Sequence, residues 1–176
     1  MWETQRLVVA NVTVADAGDY AVAFGDRESA RFLGSPDPGD AVEWASQIAR
    51  WTAGAPKGST DEWLNFSVRL QEFGRPLVGR LQATVHGFWA EVAWVFSSAQ
   101  WRRGYATEAG RWLVAHLADR GIDTIVASVD PGNRASVGLL NRIGFSLTEI
   151  PGLVPDSYDS GDLVFALRAN IQRGGQ

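Results

Sequence analysis

The chain has 176 residues, 45% of them apolar and 20% charged, with a formal net charge of −4 and no cysteine. These values fit one globular domain spanning residues 1–176 with an ordinary core. They exclude disulfides, thiolate metal sites and a cysteine acyl-enzyme, and they argue against a DNA-binding or membrane-surface protein, because both partners need a basic face. The two histidines, His86 and His116, are too few for a histidine-rich metal site. No window of about 18 apolar residues predicts a membrane span. Residues 1–6 hold no basic stretch leading into an apolar one, so no signal peptide is visible and a cytoplasmic protein is expected.

In chain order, residues 7–14 are rich in valine and predict a first strand. Residues 15–30 predict a helix, and the Gly, Ser, Pro and Asp of residues 34–40 predict a loop. Asp40 is placed to cap a second helix, on which Ala41, Trp44, Ile48 and Trp51 fall at helical spacing. After a second loop, residues 63–72, 77–85 and 88–96 predict three strands, with turns at Gly74-Arg75 and His86-Gly87. A helix over 107–120, a strand over 124–129 and a helix over 133–143 follow, the last closed by Gly144. Strands over 145–147 and 163–167 complete the pattern, and residues 172–176 are expected to fray. The whole reads as an α/β (α+β) chain with one mixed sheet and helices on both of its faces.

The segment that carries chemistry begins with Gln100-Trp101-Arg102-Arg103-Gly104-Tyr105-Ala106-Thr107, between a strand and a helix. Gly104 permits backbone conformations that other residues avoid. A helix start presents N–H groups without partners and partial positive charge, and Arg102 and Arg103 add two full charges. The sum is an anion cradle of the kind that binds a pyrophosphate, although a plain basic turn before a helix would read the same way. About thirty residues later comes Asp130-Pro131-Gly132-Asn133-Arg134-Ala135-Ser136, followed by Leu139-Leu140 and Ile143-Gly144-Phe145.

With that second half in view the chain resembles the GNAT acetyltransferase superfamily, and within it the branch of ribosomal-protein N-terminal acetyltransferases. Glu3-Thr4-Gln5-Arg6-Leu7 resembles the branch's opening strand, residues 101–109 its pyrophosphate loop, and residues 133–145 its Asn-x-x-Ser helix ending in Gly-Phe. Trp101 stands where the superfamily has Gln or Arg, and Arg102 where a glycine is frequent. The resemblance implies a sheet of about six or seven strands in which one pair splays to admit the pantetheine arm of CoA. It assigns the open strand end to Trp94, Val95 and Phe96, with an oxyanion held by a backbone N–H near Val95 or Phe96. It assigns the pyrophosphate to the backbone of Arg102, Arg103, Gly104, Tyr105, Ala106 and Thr107. Glu108 beside that anion site is an electrostatic oddity unless its carboxylate turns away. Asn133 would contact pantetheine, or serve only as a helix N-cap on Ser136.

The tyrosine that many members use to protonate the departing thiolate falls at Leu140 and is absent. Ser136 is the candidate in its place, its alternative being a second capping hydroxyl. Glu91 is the candidate base for the amine, its alternative being a solvated strand carboxylate. Without cysteine, direct attack in a ternary complex with acetyl-CoA, or another acyl-CoA, is the expected mechanism, and no metal is needed. On the acceptor side stand Phe32, Trp44 and Tyr158, the last in an acidic run over 156–162 that suits a cationic amine; Trp44 and Trp51 share a helical stripe that also suits core packing. The expected partner is a small-molecule or peptide amine. A homodimer is left open, and tRNA enters only if the donor is an acyl-tRNA. The alternatives are an acyltransferase with a larger acyl-CoA, carrier-bound or tRNA-bound donor, and a catalytically silent acyl-CoA-binding module.

Overall fold

A computed structural model describes residues 1–29, 31, 39–148, 153 and 155–169. The strands are β1 (Trp2–Glu3), β2 (Leu7–Asn11), β3 (Glu62–Leu70), β4 (Leu77–His86), β5 (Trp89–Phe96), β6 (Thr124–Val129), β7 (Ser146–Leu147) and β8 (Leu163–Arg168). The helices are α1 (Ala17–Phe24), α2 (Ala41–Thr52), α3 (Tyr105–Asp119) and α4 (Arg134–Ile143). All eight strands form one sheet in the order β1-β2-β3-β4-β5-β6-β8-β7. Every neighbouring pair is antiparallel except β5 and β6. That parallel pair is joined through α3, as a parallel connection requires a crossover.

Side chains alternate along each strand, so the sheet presents two apolar faces. One carries Val9, Phe66, Val68, Leu81, Ala90, Val92 and Phe96 against Ala109, Leu113 and Leu117 of α3 and Leu140 of α4. The other carries Val12, Leu77 and Val95 against Tyr20 and Phe24 of α1 and Trp44 and Ile48 of α2. Asp40 caps α2 as its position implied, accepting from the N–H of Val42 at 2.8 Å and of Glu43 at 2.9 Å. The Arg80 guanidinium is buried among the rings of Phe24, Trp44 and Trp51, 5.2–5.8 Å from their centroids, a cation–π box that fixes α1 and α2 over β4.

The sheet has eight strands where six or seven were expected. The difference includes β1, whose two residues are too few to show alternation. It pairs with β2 (Trp2↔Val9, Glu3↔Val8) and is held by the packing of Trp2 on Phe66 and Trp112. α1 covers only part of the predicted span: Val14–Asp16 is a 3₁₀ turn, in which Asp16 accepts from the Thr13 N–H and from Arg69, and the helix ends at Phe24, before Gly25. α3 starts at Tyr105, two residues early. The expected fray at residues 172–176 lies outside the described residues. Among the described residues, no helix is long and apolar enough to cross a membrane.

Candidate active site

β5 pairs with β6 only at Trp89, Ala90 and Glu91, opposite Thr124, Ile125 and Val126. β5 continues to Phe96 against β4, and β6 continues to Val129 against β8. The two strands therefore part after Glu91, and a cleft of about 1260 Å³ opens between them. Val92–Phe96 form one wall, and Ala127, Ser128 and Val129 the other. Alternate backbone groups of Val92–Phe96, the ones not used by β4, have no strand partner.

The wall is braced from behind. Phe96 lies over Gly79 of the paired strand so closely that a Cβ there would come within 2.5 Å of its ring. The Trp101 indole N–H donates to the Phe96 carbonyl at 2.8 Å. This is what tryptophan does three residues before the loop glycine: it fastens the loop to the end of β5.

The loop ends at Gly104, whose φ of 83° suits glycine, and Arg102 shares that left-handed region at φ 62°. Helix α3 starts at Tyr105 with no side-chain cap. The first α-helical bond is donated by Glu108 to the Gly104 carbonyl at 3.1 Å. The N–H groups of residues 102 to 107 thus make no hydrogen bond among the described residues, and Arg102, Gly104, Tyr105, Ala106 and Thr107 line the cleft. A row of unpartnered N–H groups at a helix start can hold an anion. Arg103 does not line the cleft; its carbonyl accepts from Arg6 Nη1 at 2.9 Å.

Glu108 turns away from this site. Its Oε1 accepts from Thr4 Oγ1 at 2.6 Å and the Arg6 N–H at 2.8 Å, and its Oε2 from Arg6 Nε at 2.7 Å. The Arg6 guanidinium also covers the Tyr105 ring at 4.8 Å. Thr4 and Arg6 of the opening strand motif therefore neutralise the one carboxylate of the first turn of α3. Burial acts to raise the Glu108 carboxyl, but these hydrogen bonds and the Arg6 charge outweigh it and hold it below the ordinary glutamate value.

On the opposite wall, Asn133 Oδ1 caps α4 by accepting from the Ser136 N–H at 3.1 Å. The Ser136 hydroxyl takes no part in that cap. Asn133, Ser136, Leu139 and Leu140 all line the cleft, and Leu140 leaves an apolar surface where a tyrosine acid would stand.

Glu91 is the last β5 residue paired with β6, so it sits at the closed end of the splay, buried and outside the cleft lining. Both its oxygens are engaged, accepting from the N–H of Asp156 at 2.6 Å and of Ser157 at 3.1 Å. The carboxylate expected to be a base thus anchors the loop before β8. Ser157 then meets Ser128 of β6, hydroxyl to hydroxyl, at 3.0 Å.

A family model described as "Acetyltransferase (GNAT) domain" matches residues 6–146. The chain belongs to the GNAT acetyltransferase family. Among solved structures it is similar to Mycobacterium smegmatis RimJ in complex with CoA-disulfide, with TM-score 0.75, 20% identity and coverage of 95% of this chain and 84% of that one. It is likewise similar to a putative ribosomal-protein-serine acetyltransferase from Vibrio cholerae, with TM-score 0.73, 21% identity and coverage of 94% and 95%. An uncharacterized protein of Bacillus subtilis, YkkB, is 34% identical over 55 residues, which span 31% of this chain and 32% of that protein.

The GNAT cleft brings together most of the residues expected at the donor site. The acceptor expectations fare differently. Trp44 is fully buried against Tyr20, Phe24 and Trp51 and offers no surface to a substrate, because the helical stripe it shares with Trp51 faces the sheet. Tyr158 is exposed but does not line the cleft, whereas Ser157 and residues 159–162 do. Phe32 lies outside the described residues. The acidic run over 156–162 was expected on the acceptor side, and its Ser157 and residues 159–162 line the cleft; sequence reasoning missed Ser128, and it missed Glu28, Ser29 and Arg31 at the α1 side of the cleft. A serine within an otherwise apolar strand, and polar residues in the loop after α1, carry no spacing signal that would have marked them.

Two outcomes follow from these contacts. Glu108→Gln should destabilise the fold by about 1 kcal/mol near neutral pH, an estimate kept low because Arg6 is half exposed and screened. The Glu108 contribution is fully present above the unfolded glutamate value of about 4.3 and is lost as pH falls through its lower folded value. The difference between wild type and variant in urea melts should therefore close on acidification. Glu91→Gln leaves a single acceptor oxygen for two N–H groups, so the Asp156 and Ser157 amides should exchange hydrogen at least about tenfold faster, the factor that corresponds to 1.4 kcal/mol. Unchanged exchange would show that the loop does not depend on Glu91.

Proposed function

We propose that the chain transfers an acetyl group from acetyl-CoA to a primary amine, either a small molecule or an N-terminal α-amine, by direct attack in a ternary complex. The observation that carries this reading is the row of unpartnered N–H groups at residues 102–107, opening on the same cleft as the splayed end of β5. A diphosphate on that row would direct the pantetheine arm along Val92–Phe96 as an added strand, with the Asn133 side-chain amide available to it from the facing wall. Two similar structures, RimJ in complex with CoA-disulfide and a putative ribosomal-protein-serine acetyltransferase, support a CoA donor and acetyl transfer.

In the reaction the amine nitrogen attacks the thioester carbonyl carbon. The carbonyl oxygen gains charge, which a backbone N–H near Val95 or Phe96 would hold. The new C–N bond forms as the C–S bond breaks, the nitrogen's proton leaves to water, and CoA departs as thiolate. Leu140 cannot donate to that sulfur. Ser136 lines the cleft, its hydroxyl has no hydrogen-bond partner among the described residues, and it is the group that can. Glu91 contributes by holding the loop that forms the acceptor side.

A hydrogen bond to developing thiolate is stronger in the transition state than in the ground state, so it appears in turnover and not in donor binding. Thiol release from acetyl-CoA with a panel of amines should be detectable for the wild type. Ser136→Ala should lower kcat about tenfold or more with acetyl-CoA affinity within about twofold, since a charge-assisted bond contributes roughly 1.5–3 kcal/mol. The melting temperature should not move, because the cap is Asn133. Normal turnover in a folded Ser136→Ala protein would remove the serine from the chemistry, and no thiol release with any amine would remove the acetyl-transfer reading.

A further inference from the structure

Asp61, His86 and Asp156 come from three distant parts of the chain: the entry to β3, the end of β4 and the loop before β8. Each offers one ligand atom, and the three atoms lie within 4.8 Å of one another. None of the three lines the cleft, and neither the donor site nor the acyl transfer uses them.

Their surroundings are built. His86 Nδ1 stands 2.9 Å from Asp61 Oδ1, with the imidazole largely buried. The ring is stacked on Trp89, centroids 4.2 Å apart and planes at 22°. The other oxygen of Asp61 accepts from Ser59 Oγ at 2.7 Å, and the Asp61 N–H donates back to the same hydroxyl at 3.1 Å. Asp156 is set in place by its own N–H, which donates to Glu91. Ligand side chains held by hydrogen bonds and stacking of this kind are the usual support of a metal site.

We propose that Asp61, His86 and Asp156 bind one divalent transition-metal cation of the zinc type, tying the loop before β8 to the β4–β5 hairpin. One imidazole nitrogen and two carboxylates suit zinc, with water in the fourth position. Ligands about 2 Å from a tetrahedral ion lie roughly 3.3 Å from one another, so the His86–Asp61 edge is close to assembled and the exposed Asp156 has only to swing inward. Magnesium and calcium prefer six or more oxygens, and two carboxylates do not supply them. The ion would stiffen the loop whose following residues, Ser157 and Asp159 to Asp162, line the acceptor side of the cleft.

The test is calorimetric titration of the full-length, chelator-stripped chain with Zn²⁺ and, separately, Mg²⁺ at neutral pH. It reads binding without any acyl transfer, so its outcome is independent of the proposed function. One Zn²⁺ per chain should bind, and Mg²⁺ should not at the same concentration. Asp156→Asn is conservative and exposed; it should fold normally and weaken Zn²⁺ binding at least about tenfold. His86→Ala should abolish binding, and His116→Ala, at the other histidine, should leave it unchanged. Should His86→Ala fail to fold, Asp156→Asn decides the question. The proposal is overturned if the wild type takes up no stoichiometric Zn²⁺, if Asp156→Asn binds as tightly as wild type, or if His116→Ala loses the ion.

Discussion

The parallel pairing of β5 with β6 stops at Glu91, and the rest of the site depends on that stop. Two adjacent strands that part in mid-sheet expose backbone groups that ordinary sheets satisfy. Such an opening persists only if each strand is held from its far side. β5 is held by β4 through Phe96 and by the Phe96 ring seated on Gly79. β6 is held by β8 through Val129. At the closed end Glu91 fixes the loop before β8, and Ser157 meets Ser128 beside it. The gap is thus a rigid slot into which an extended ligand can pair, as strand addition elsewhere works.

The mouth of the slot is governed by electrostatics. An anion cradle at the start of α3 is weakened by a carboxylate in the first turn unless that charge is neutralised elsewhere. Thr4 and Arg6 do this for Glu108, and the same guanidinium bonds the Arg103 carbonyl and covers Tyr105. One arginine therefore pins the loop, offsets a misplaced charge and joins the segment between β1 and β2 to the start of α3. Arg102 remains as a full positive charge on the cleft lining.

Much of this was legible in the sequence where the signal is local. Periodicity marked the three central strands, Asp40 marked the start of α2, and Gly104 marked the turn into α3. Contacts between distant segments were not legible. Glu108 reads as an electrostatic oddity until its partners, more than one hundred residues earlier, are in place. Glu91 reads as a free strand carboxylate because nothing near it announces two N–H donors 65 and 66 residues away. Ser136 could be a cap or a cleft hydroxyl from its spacing alone; in the structure it lines the cleft, and Asn133 accepts from its N–H. Trp44 shows the reverse case: its helical stripe with Trp51 already pointed to the core, and the Arg80 box is why that signal prevailed.

The central proposal is that residues 102–107 and the open end of β5 hold acetyl-CoA, and direct calorimetry of CoA against the wild type and Gly104→Glu tests it most plainly. A side chain at Gly104 must adopt φ 83° and would begin 3.3 Å from Arg6 Nη2, and a carboxylate there would stand where the proposal puts the diphosphate. The account predicts one CoA per wild-type chain and no measurable binding to a Gly104→Glu protein that is still folded by circular dichroism. A folded wild type that binds no CoA, or a variant that binds it as well as wild type does, would contradict it.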